Sequence, residues 1–300
     1  MSTSSISISP ARVSSAMLVT AGVLAGTGGL AGALLAAAGH LHPVAVATYR
    51  LLAGGLCAVT AVAAAGHLRH LRAHPVRLLV LGALLAECQA AYQVSIAQIS
   101  VSLATLITTG SMPVFVAAVT TYRARRLPEG RALVAIAGSV AGLALLCGGP
   151  AGVDAWHAAA GVVMALLAGA GFAALALFAE RPVPGQGAIT SAALLVGGVL
   201  LAPFGLAFGM AVSLTGHVVA LVGFLGVVPT ALAYAAFFLG VRHAGATAAA
   251  LATVLEPLTA TLLSVAFHGE RLTMAGIGGA LLIAGALVLY YAPGRRTLMR

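Results

Sequence analysis

Long apolar runs separated by short polar breaks make up most of the chain. Each run is close to the length of about 20 residues that a helix needs to cross the hydrocarbon core of a bilayer. The breaks contain charged residues, glycine or proline, so we predict ten membrane-spanning helices joined by short connections. The predicted spans are 14–38, 43–65, 76–98, 100–121, 131–149, 155–179, 187–211, 215–240, 245–267 and 272–292.

Composition excludes two broad classes of protein. The chain is 61% hydrophobic and 7% charged, whereas soluble globular domains contain about 25% charged residues. Arginines at the ends of apolar runs carry the net charge of +9 without forming one basic face, so we expect no nucleic-acid partner. Cys57, Cys88 and Cys147 lie inside apolar runs without the spacing of metal ligands, and we expect no metal site and no cofactor.

The distribution of the arginines predicts the orientation of the chain. Ten spans place both termini on one side, and the segments on that side contain 13 of the 15 basic residues. Arg271 lies on the other side, and Arg50 lies within the second span. The positive-inside rule therefore predicts a multi-pass protein of the cytoplasmic (inner) membrane with both termini in the cytoplasm.

Two similar segments indicate an internal duplication. Residues 101–113 and 245–257 each lead through small residues to a midspan proline, Pro113 or Pro257, and these prolines are 144 positions apart. Because each half has five helices, an odd number, two copies of one unit must insert with opposite orientations. Tyr92 and Tyr234 lie at similar places in the preceding spans.

The predicted fold is therefore an all-α integral membrane protein of ten helices arranged as two inverted five-helix repeats. The predicted parts are a cytoplasmic tail 1–13, the first repeat 14–149, the second repeat 155–292 and a cytoplasmic tail 293–300.

Polar side chains at midspan are candidate site residues, because a polar group in hydrocarbon needs a partner. Gln89, Tyr92 and Gln93 form one polar stripe on the third span, and Glu87 is set off from Gln89 by roughly 160°. The stripe is either a cavity wall for a polar substrate or an interhelical hydrogen-bond network. We favour the cavity wall for the stripe, and both interpretations stay open for Glu87.

The fourth and eighth spans add further candidates for the wall of a cavity. Thr108, Thr109 and Ser111 precede Pro113 and either contact substrate or bond the backbone groups that the proline frees. Aromatic side chains of the eighth span either line the cavity or pack in the core; they are Tyr234, Phe237 and Phe238.

Two charged residues and two prolines have competing interpretations. Glu256 either couples transport to a proton, since burial favours a neutral carboxyl, or bonds the backbone groups that Pro257 frees or pairs with Arg50. Arg50 either binds a substrate carboxylate or is a structural arginine that snorkels or forms an ion pair. We favour the structural interpretation for both. Pro113 and Pro257 are either gate hinges or static bends.

Four segments give the chain a recognisable pattern. These are His42–Arg50, the two proline segments and Phe267–Thr273. In their order and spacing the chain resembles EamA-type members of the drug/metabolite transporter superfamily, and within it is similar to the YddG-like amino acid exporters. The resemblance implies a ten-helix carrier of small metabolites that commonly exports them.

We therefore expect a secondary transporter that exports aromatic or neutral amino acids by alternating access through a central cavity. Drugs and other metabolites are the alternative substrates. An intramembrane enzyme would need clustered nucleophiles and bases, and a scaffold would not need polar residues at midspan. Expected partners are the lipid bilayer and a small-molecule substrate, with proton coupling as one option. Glycine pairs such as Gly22 and Gly26 favour packing within one bundle, compatible with a monomer.

Overall fold

Helices make up the fold throughout the residues that the computed structural model describes, which are 10–67, 71, 74–99, 101–147, 155–181, 183–213, 215–268 and 274–291. The helices are α1 Pro10–Gly39, α2 Pro43–Ala64, α3 Pro75–Gln98, α4 Val101–Ala124, α5 Gly130–Cys147, α6 Ala155–Ala179, α7 Gln186–Ala207, α8 Gly216–Gly226, α9 Ala233–Ala244, α10 Ala246–Ala252, α11 Leu255–His268 and α12 Met274–Tyr291. A π-helical segment, Val227–Leu232, joins α8 to α9.

Local sequence explains where several helices begin. Pro43 and Pro75 occupy the first turn of α2 and α3, where a missing N–H breaks no helical hydrogen bond. His42 caps α2, because its Nδ1 accepts a hydrogen bond from the backbone N–H of Val44 at 3.3 Å. Thr215 caps α8 in the same way through the N–H of Val218.

Eight helical stretches are long and apolar enough to cross a membrane within the described residues. One of them runs continuously from Gly216 to Ala244 through the π-helical segment. Two shorter apolar helices, Gly130–Leu145 and Ala246–Ala260, occupy the positions of the predicted fifth and ninth spans. The chain is thus an all-helical protein with many apolar spans, and the crossing of all ten remains a prediction.

The two midspan prolines occupy different local structures. Pro113 lies inside the continuous helix α4. Pro257 follows a break, because α10 ends at Ala252 and α11 begins at Leu255. It therefore lies in the first turn of α11, where it replaces no helical donor. Most of the Phe267–Thr273 motif lies outside the described residues, as do Arg271, residues 1–9 and the tail 293–300.

The helices pack in a regular pairing pattern. α1 packs on α9 and α11, and α6 packs on α3 and α4. α2 packs on α7, and α5 packs on α12. Two groups of helices result. The α1 group consists of α1, α9 and α11, and the α6 group consists of α6, α3 and α4. The candidate site lies between these two groups.

Glycines allow the closest approaches between helices. A β-carbon on Gly54 of α2 would lie 2.8 Å from the carbonyl oxygen of Gly226 in α8. A β-carbon on Gly197 of α7 would lie 2.9 Å from the carbonyl oxygen of Gly82 in α3. Distances this short leave no room for a side chain, so glycine is required at both positions. The two contacts are alike, and each residue of one lies 143 or 144 positions from its counterpart in the other.

Candidate functional site

A cavity lies near the middle of the spans, between the α1 group and the α6 group. Its walls come from α1, α2, α3, α4, α6, the π-helical segment, α9, and both sides of the break between α10 and α11. The centres of water molecules can occupy about 70 Å³ of it. The lining residues are Leu18, Ala21, Gly22, Ala25, Arg50, Gln89, Tyr92, Thr108, Thr109, Met112, Phe172, Leu175, Pro229, Ala233, Tyr234, Phe237, Ala252, Thr253 and Glu256.

Arg50 is anchored to the π-helical segment by two hydrogen bonds. Its Nε donates to Thr230 Oγ1 at 3.0 Å, and its Nη2 donates to the carbonyl oxygen of Pro229 at 3.0 Å. Gly28 on α1 leaves space for the guanidinium, because a β-carbon there would lie 3.3 Å from Nη2. Arg50 is 6% exposed, so its charge is held in place inside the protein.

Pro229 explains both the π-helical segment and these hydrogen bonds. Proline has no N–H, so the carbonyl of Leu225 loses its usual helical donor. Thr230 Oγ1 replaces that donor and bonds the Leu225 oxygen at 2.7 Å. The N–H of Ala233 bonds to the carbonyls of Val228 and Thr230. Arg50 Nη2 donates to the Pro229 carbonyl, which lies between them in the chain.

Gln89 and Tyr234 form a hydrogen bond across the two helix groups. Gln89 Nε2 donates to the Tyr234 hydroxyl at 2.7 Å, which connects α3 to α9. Gln89 is 1% exposed, and its Oε1 atom has no hydrogen-bond partner in the structure. The buried amide therefore has an acceptor free at the edge of the cavity.

Three threonines of the cavity wall donate their hydroxyl protons to backbone carbonyls. Thr109 Oγ1 donates to Thr105 at 2.7 Å, and Thr253 Oγ1 donates to Ala250 at 2.8 Å. Thr108 Oγ1 donates to Ala165 of α6 at 3.2 Å. Since each hydroxyl has one proton, these oxygens can offer only lone pairs to the cavity.

Glu256 contributes a carboxyl group to the lining of the cavity, which also contains Arg50. It lies in the first turn of α11, directly after the break, and lines the cavity. Arg50 and Glu256 are within electrostatic range of each other, and Tyr234 is within range of both. Both charged residues are described by the structure, and no ion pair joins them. The cavity thus contains one cation and one acid that are not paired with each other.

The structure brings together most of the residues that the sequence singles out. Those that line the cavity are Arg50, Gln89, Tyr92, Thr108, Thr109, Tyr234, Phe237 and Glu256.

Four predicted wall residues lie elsewhere. Glu87 is exposed and lies against Gly171 of α6. Gln93 is buried at 8% exposure outside the lining, and Ser111 donates to the Thr108 carbonyl at 3.2 Å. Phe238 packs edge-on against Phe237, with ring centroids 5.5 Å apart.

Other lining residues carry little signal in the sequence. Phe172 and Leu175 of α6 are apolar residues in an apolar helix, so no local pattern distinguishes them from core. Pro229 is a midspan proline like Pro113, and that similarity could have marked it as a candidate. Thr253 precedes Glu256 by three positions, close enough on a helix to share its face.

Known proteins are similar to this chain in sequence. Residues 159–292 match the EamA-like transporter family. The chain is 29% identical over 262 residues to the uncharacterized transporter YwfM of Bacillus subtilis (strain 168), covering 85% of this chain and 86% of that protein. An uncharacterized transporter of Archaeoglobus fulgidus is 31% identical over 133 residues, which are 43% of this chain and 47% of that protein.

A solved crystal structure has the same fold. It superposes with a TM-score of 0.79 over 95% of this chain and 98% of that chain, at 20% sequence identity. At this level of identity, the similarity establishes the fold and gives no information about the substrate.

The apolar spans and the family match define the class of protein as a multi-pass membrane transporter. More particularly, residues 159–292 are similar to the EamA-like transporter family, in line with the resemblance of the sequence motifs.

Proposed function

We propose that this transporter exports zwitterionic amino acids with aromatic or neutral side chains. The observation that carries the proposal is the guanidinium of Arg50, held by two hydrogen bonds in a cavity whose described lining is mostly apolar, with several hydroxyls, the Gln89 amide and the Glu256 carboxyl. A planar guanidinium binds a carboxylate through paired hydrogen bonds. Because Nη1 of Arg50 has no hydrogen-bond partner among the described residues, it is available to a substrate.

The remaining walls favour an apolar side chain on the substrate. Phe172, Phe237 and Leu175 line the cavity together with Leu18 and Met112. An aromatic or branched side chain would bury apolar surface against them, at about 25 cal/mol per Å². Among the residues that the structure describes, Arg50 is the only basic one in the lining. A phosphorylated sugar would need more cationic donors than one guanidinium provides.

Alternating access between two inverted repeats is the proposed mechanism. The packing of α1 on α9 and α11 corresponds to that of α6 on α3 and α4. The two packings match when each helix is exchanged for the helix at the equivalent position in the other half of the chain. The Gly54–Gly226 and Gly82–Gly197 contacts follow the same relation. These correspondences support a duplication with a pseudo-two-fold axis through the cavity.

The size of the cavity supports a change of conformation during transport. Its volume of about 70 Å³ is well below the 300–1,000 Å³ or so of typical ligand sites. An amino acid can therefore enter only if the α1 group and the α6 group move apart. The Gln89–Tyr234 hydrogen bond joins the two groups and would separate or shift in that motion.

The experiment that tests this function is counterflow in proteoliposomes. Purified protein is reconstituted, loaded with unlabelled phenylalanine, leucine, alanine or glutamate, and supplied with the same labelled amino acid outside. Saturable uptake of phenylalanine or leucine is expected, with sugars and nucleosides as negative controls. Arg50→Lys keeps the charge and loses the planar fork, and we expect it to raise the KM for phenylalanine about tenfold. Absence of counterflow for all amino acids, with folded protein, would exclude the proposal.

A further inference from the structure

We propose that Gln89 Oε1, Glu256 and the lone pairs of Thr109 and Thr253 form a subsite for a primary ammonium group. This inference rests on the proposed amino acid transport and adds the recognition of the second charge of the substrate. Its consequence is that the transporter selects free amino acids over carboxylates of the same size that lack an amino group.

The first observation is that the threonines of this wall act only as acceptors. Thr109 and Thr253 commit their hydroxyl protons to the carbonyls of Thr105 and Ala250, at 2.7 and 2.8 Å. The remaining lone pairs can accept a hydrogen bond and cannot donate one. A ligand group that faces these oxygens must therefore be a donor.

The second observation is the unsatisfied amide oxygen of Gln89. The side chain is almost fully buried, and one N–H of its NH₂ group donates to the Tyr234 hydroxyl at 2.7 Å. Its Oε1 atom has no hydrogen-bond partner. Buried acceptors are nearly always paired, because an unpaired acceptor has lost its hydrogen bonds to water without replacement. A donor on a ligand would restore the missing bond.

The third observation is the carboxyl of Glu256, which lines the same cavity. It lies within electrostatic range of Arg50, yet the two groups form no ion pair. A zwitterionic ligand pairs with both residues, because its carboxylate binds Arg50 and its ammonium group binds Glu256. An ammonium group has three N–H donors and no acceptor, which matches the acceptor atoms that Gln89, Thr109, Thr253 and Glu256 contribute to the lining.

The alternative ligand chemistries fit less well. An N-acylated amino acid has one N–H and no positive charge, and a desamino acid has neither. A trimethylated ammonium keeps the charge but has no N–H to donate to Gln89 or the threonines. The subsite therefore predicts an order of affinity from the free amino acid, through the trimethylated form, to the N-acylated and desamino forms.

The test is equilibrium binding to the purified full-length protein, measured by isothermal titration calorimetry. The probes are phenylalanine, its N-trimethyl betaine, N-acetylphenylalanine and 3-phenylpropanoate. We expect 3-phenylpropanoate and N-acetylphenylalanine to bind at least tenfold more weakly than phenylalanine, with the betaine between them. Equal affinities, within twofold, for phenylalanine and 3-phenylpropanoate would overturn the ammonium subsite and leave amino acid transport standing.

Two variants assign the effect to residues. Gln89→Leu removes the acceptor with little change of volume, and Glu256→Gln removes the charge. Each is expected to lower the affinity for phenylalanine about tenfold and to leave that for 3-phenylpropanoate unchanged. Retained binding of 3-phenylpropanoate shows that the variant is folded. Glu129→Gln changes an exposed carboxylate between α4 and α5 and serves as the matched control.

A result in which both variants keep the wild-type preference for phenylalanine would overturn the assignment to these residues. If phenylalanine itself fails to bind or to be transported while another amino acid does both, the same analogue series is built on that amino acid. If no amino acid binds, the proposed function and the subsite fail together, which the counterflow experiment reports independently.

Discussion

The Nη2 atom of Arg50 donates a hydrogen bond to the carbonyl oxygen of Pro229 across 3.0 Å. The two residues are 179 positions apart. Arg50 belongs to α2 and Pro229 to the π-helical segment, so this bond joins the two halves of the chain at the cavity. The Pro229 carbonyl of one half therefore orients Arg50 of the other half, which is the only basic side chain among the described residues of the lining.

Thr230 positions this guanidinium through the second hydrogen bond, from Nε to Oγ1 at 3.0 Å. Thr230→Val should raise the KM for phenylalanine about tenfold, because a hydrogen bond to a charged group contributes about 1.5–3 kcal/mol. Thr230→Ser keeps the hydroxyl and should restore the wild-type KM. Counterflow with both variants checks this. Equal KM values for the two variants would show that Thr230 does not position Arg50.

Gly55 of α2 contacts the backbone of α7 at Leu195, and Gly198 of α7 contacts the backbone of α2 at Leu52. Gly55→Ala or Gly198→Ala should lower the free energy of unfolding by about 1–3 kcal/mol, since the added methyl must push two backbones apart. Thermal unfolding in detergent measures the change.

Gly29→Ala is the matched control for these variants. Gly29 also lies within a helix, and a β-carbon there meets nothing within 4 Å. We expect this variant to be as stable as the wild type or up to about 1 kcal/mol more stable, because alanine favours helix over glycine. A loss of stability as large as that of Gly55→Ala would contradict the role of close backbone contact.

Glu180 connects the α6 group to the start of α10. Its Oε1 accepts a hydrogen bond from the backbone N–H of Ala246 at 2.6 Å. Glu180→Ala should cost about 1 kcal/mol, the usual effect of losing a group that caps a helix. Hydrogen–deuterium exchange should then become faster at Ala246 and the next amides of α10. Glu129→Ala, at an exposed position, should leave that exchange unchanged.

The predicted orientation is tested by labelling cysteines with a membrane-impermeant maleimide. In a variant without Cys57, Cys88 and Cys147, Ser213→Cys between α7 and α8 should react in intact cells. Leu127, between α4 and α5, is 80% exposed. A cysteine introduced there by Leu127→Cys should react only after the cells are permeabilised. The reverse pattern would place both termini outside the cytoplasm.

The positions of the helices could be predicted from the sequence because they depend on local properties. Each predicted span coincides with a helical stretch in the described residues, within a few positions at most ends. The π-helical segment could not be predicted. A proline in an apolar run allows a kink, a break or a π-helical turn, and contacts from Arg50 and Thr230 determine which one forms.

The site was predicted less completely for a similar reason. Glu87, Gln89 and Gln93 are polar residues close together on α3, and of these three only Gln89 lines the cavity. The faces of α3 differ because α6, α7 and α2 cover different sides of it. Which polar residue faces the cavity therefore depends on neighbours that are distant in the chain.

The sequence by itself determined that the chain is a helical protein with many apolar spans and with motifs similar to those of the EamA-like family, because hydrophobic length and motif order are local properties. Only the tertiary structure decided which side chains meet. It placed Arg50 on Pro229, Gln89 on Tyr234, and Glu256 on the same cavity without an ion pair to Arg50. These contacts join residues more than 140 positions apart, and helix packing alone fixes their distances and directions.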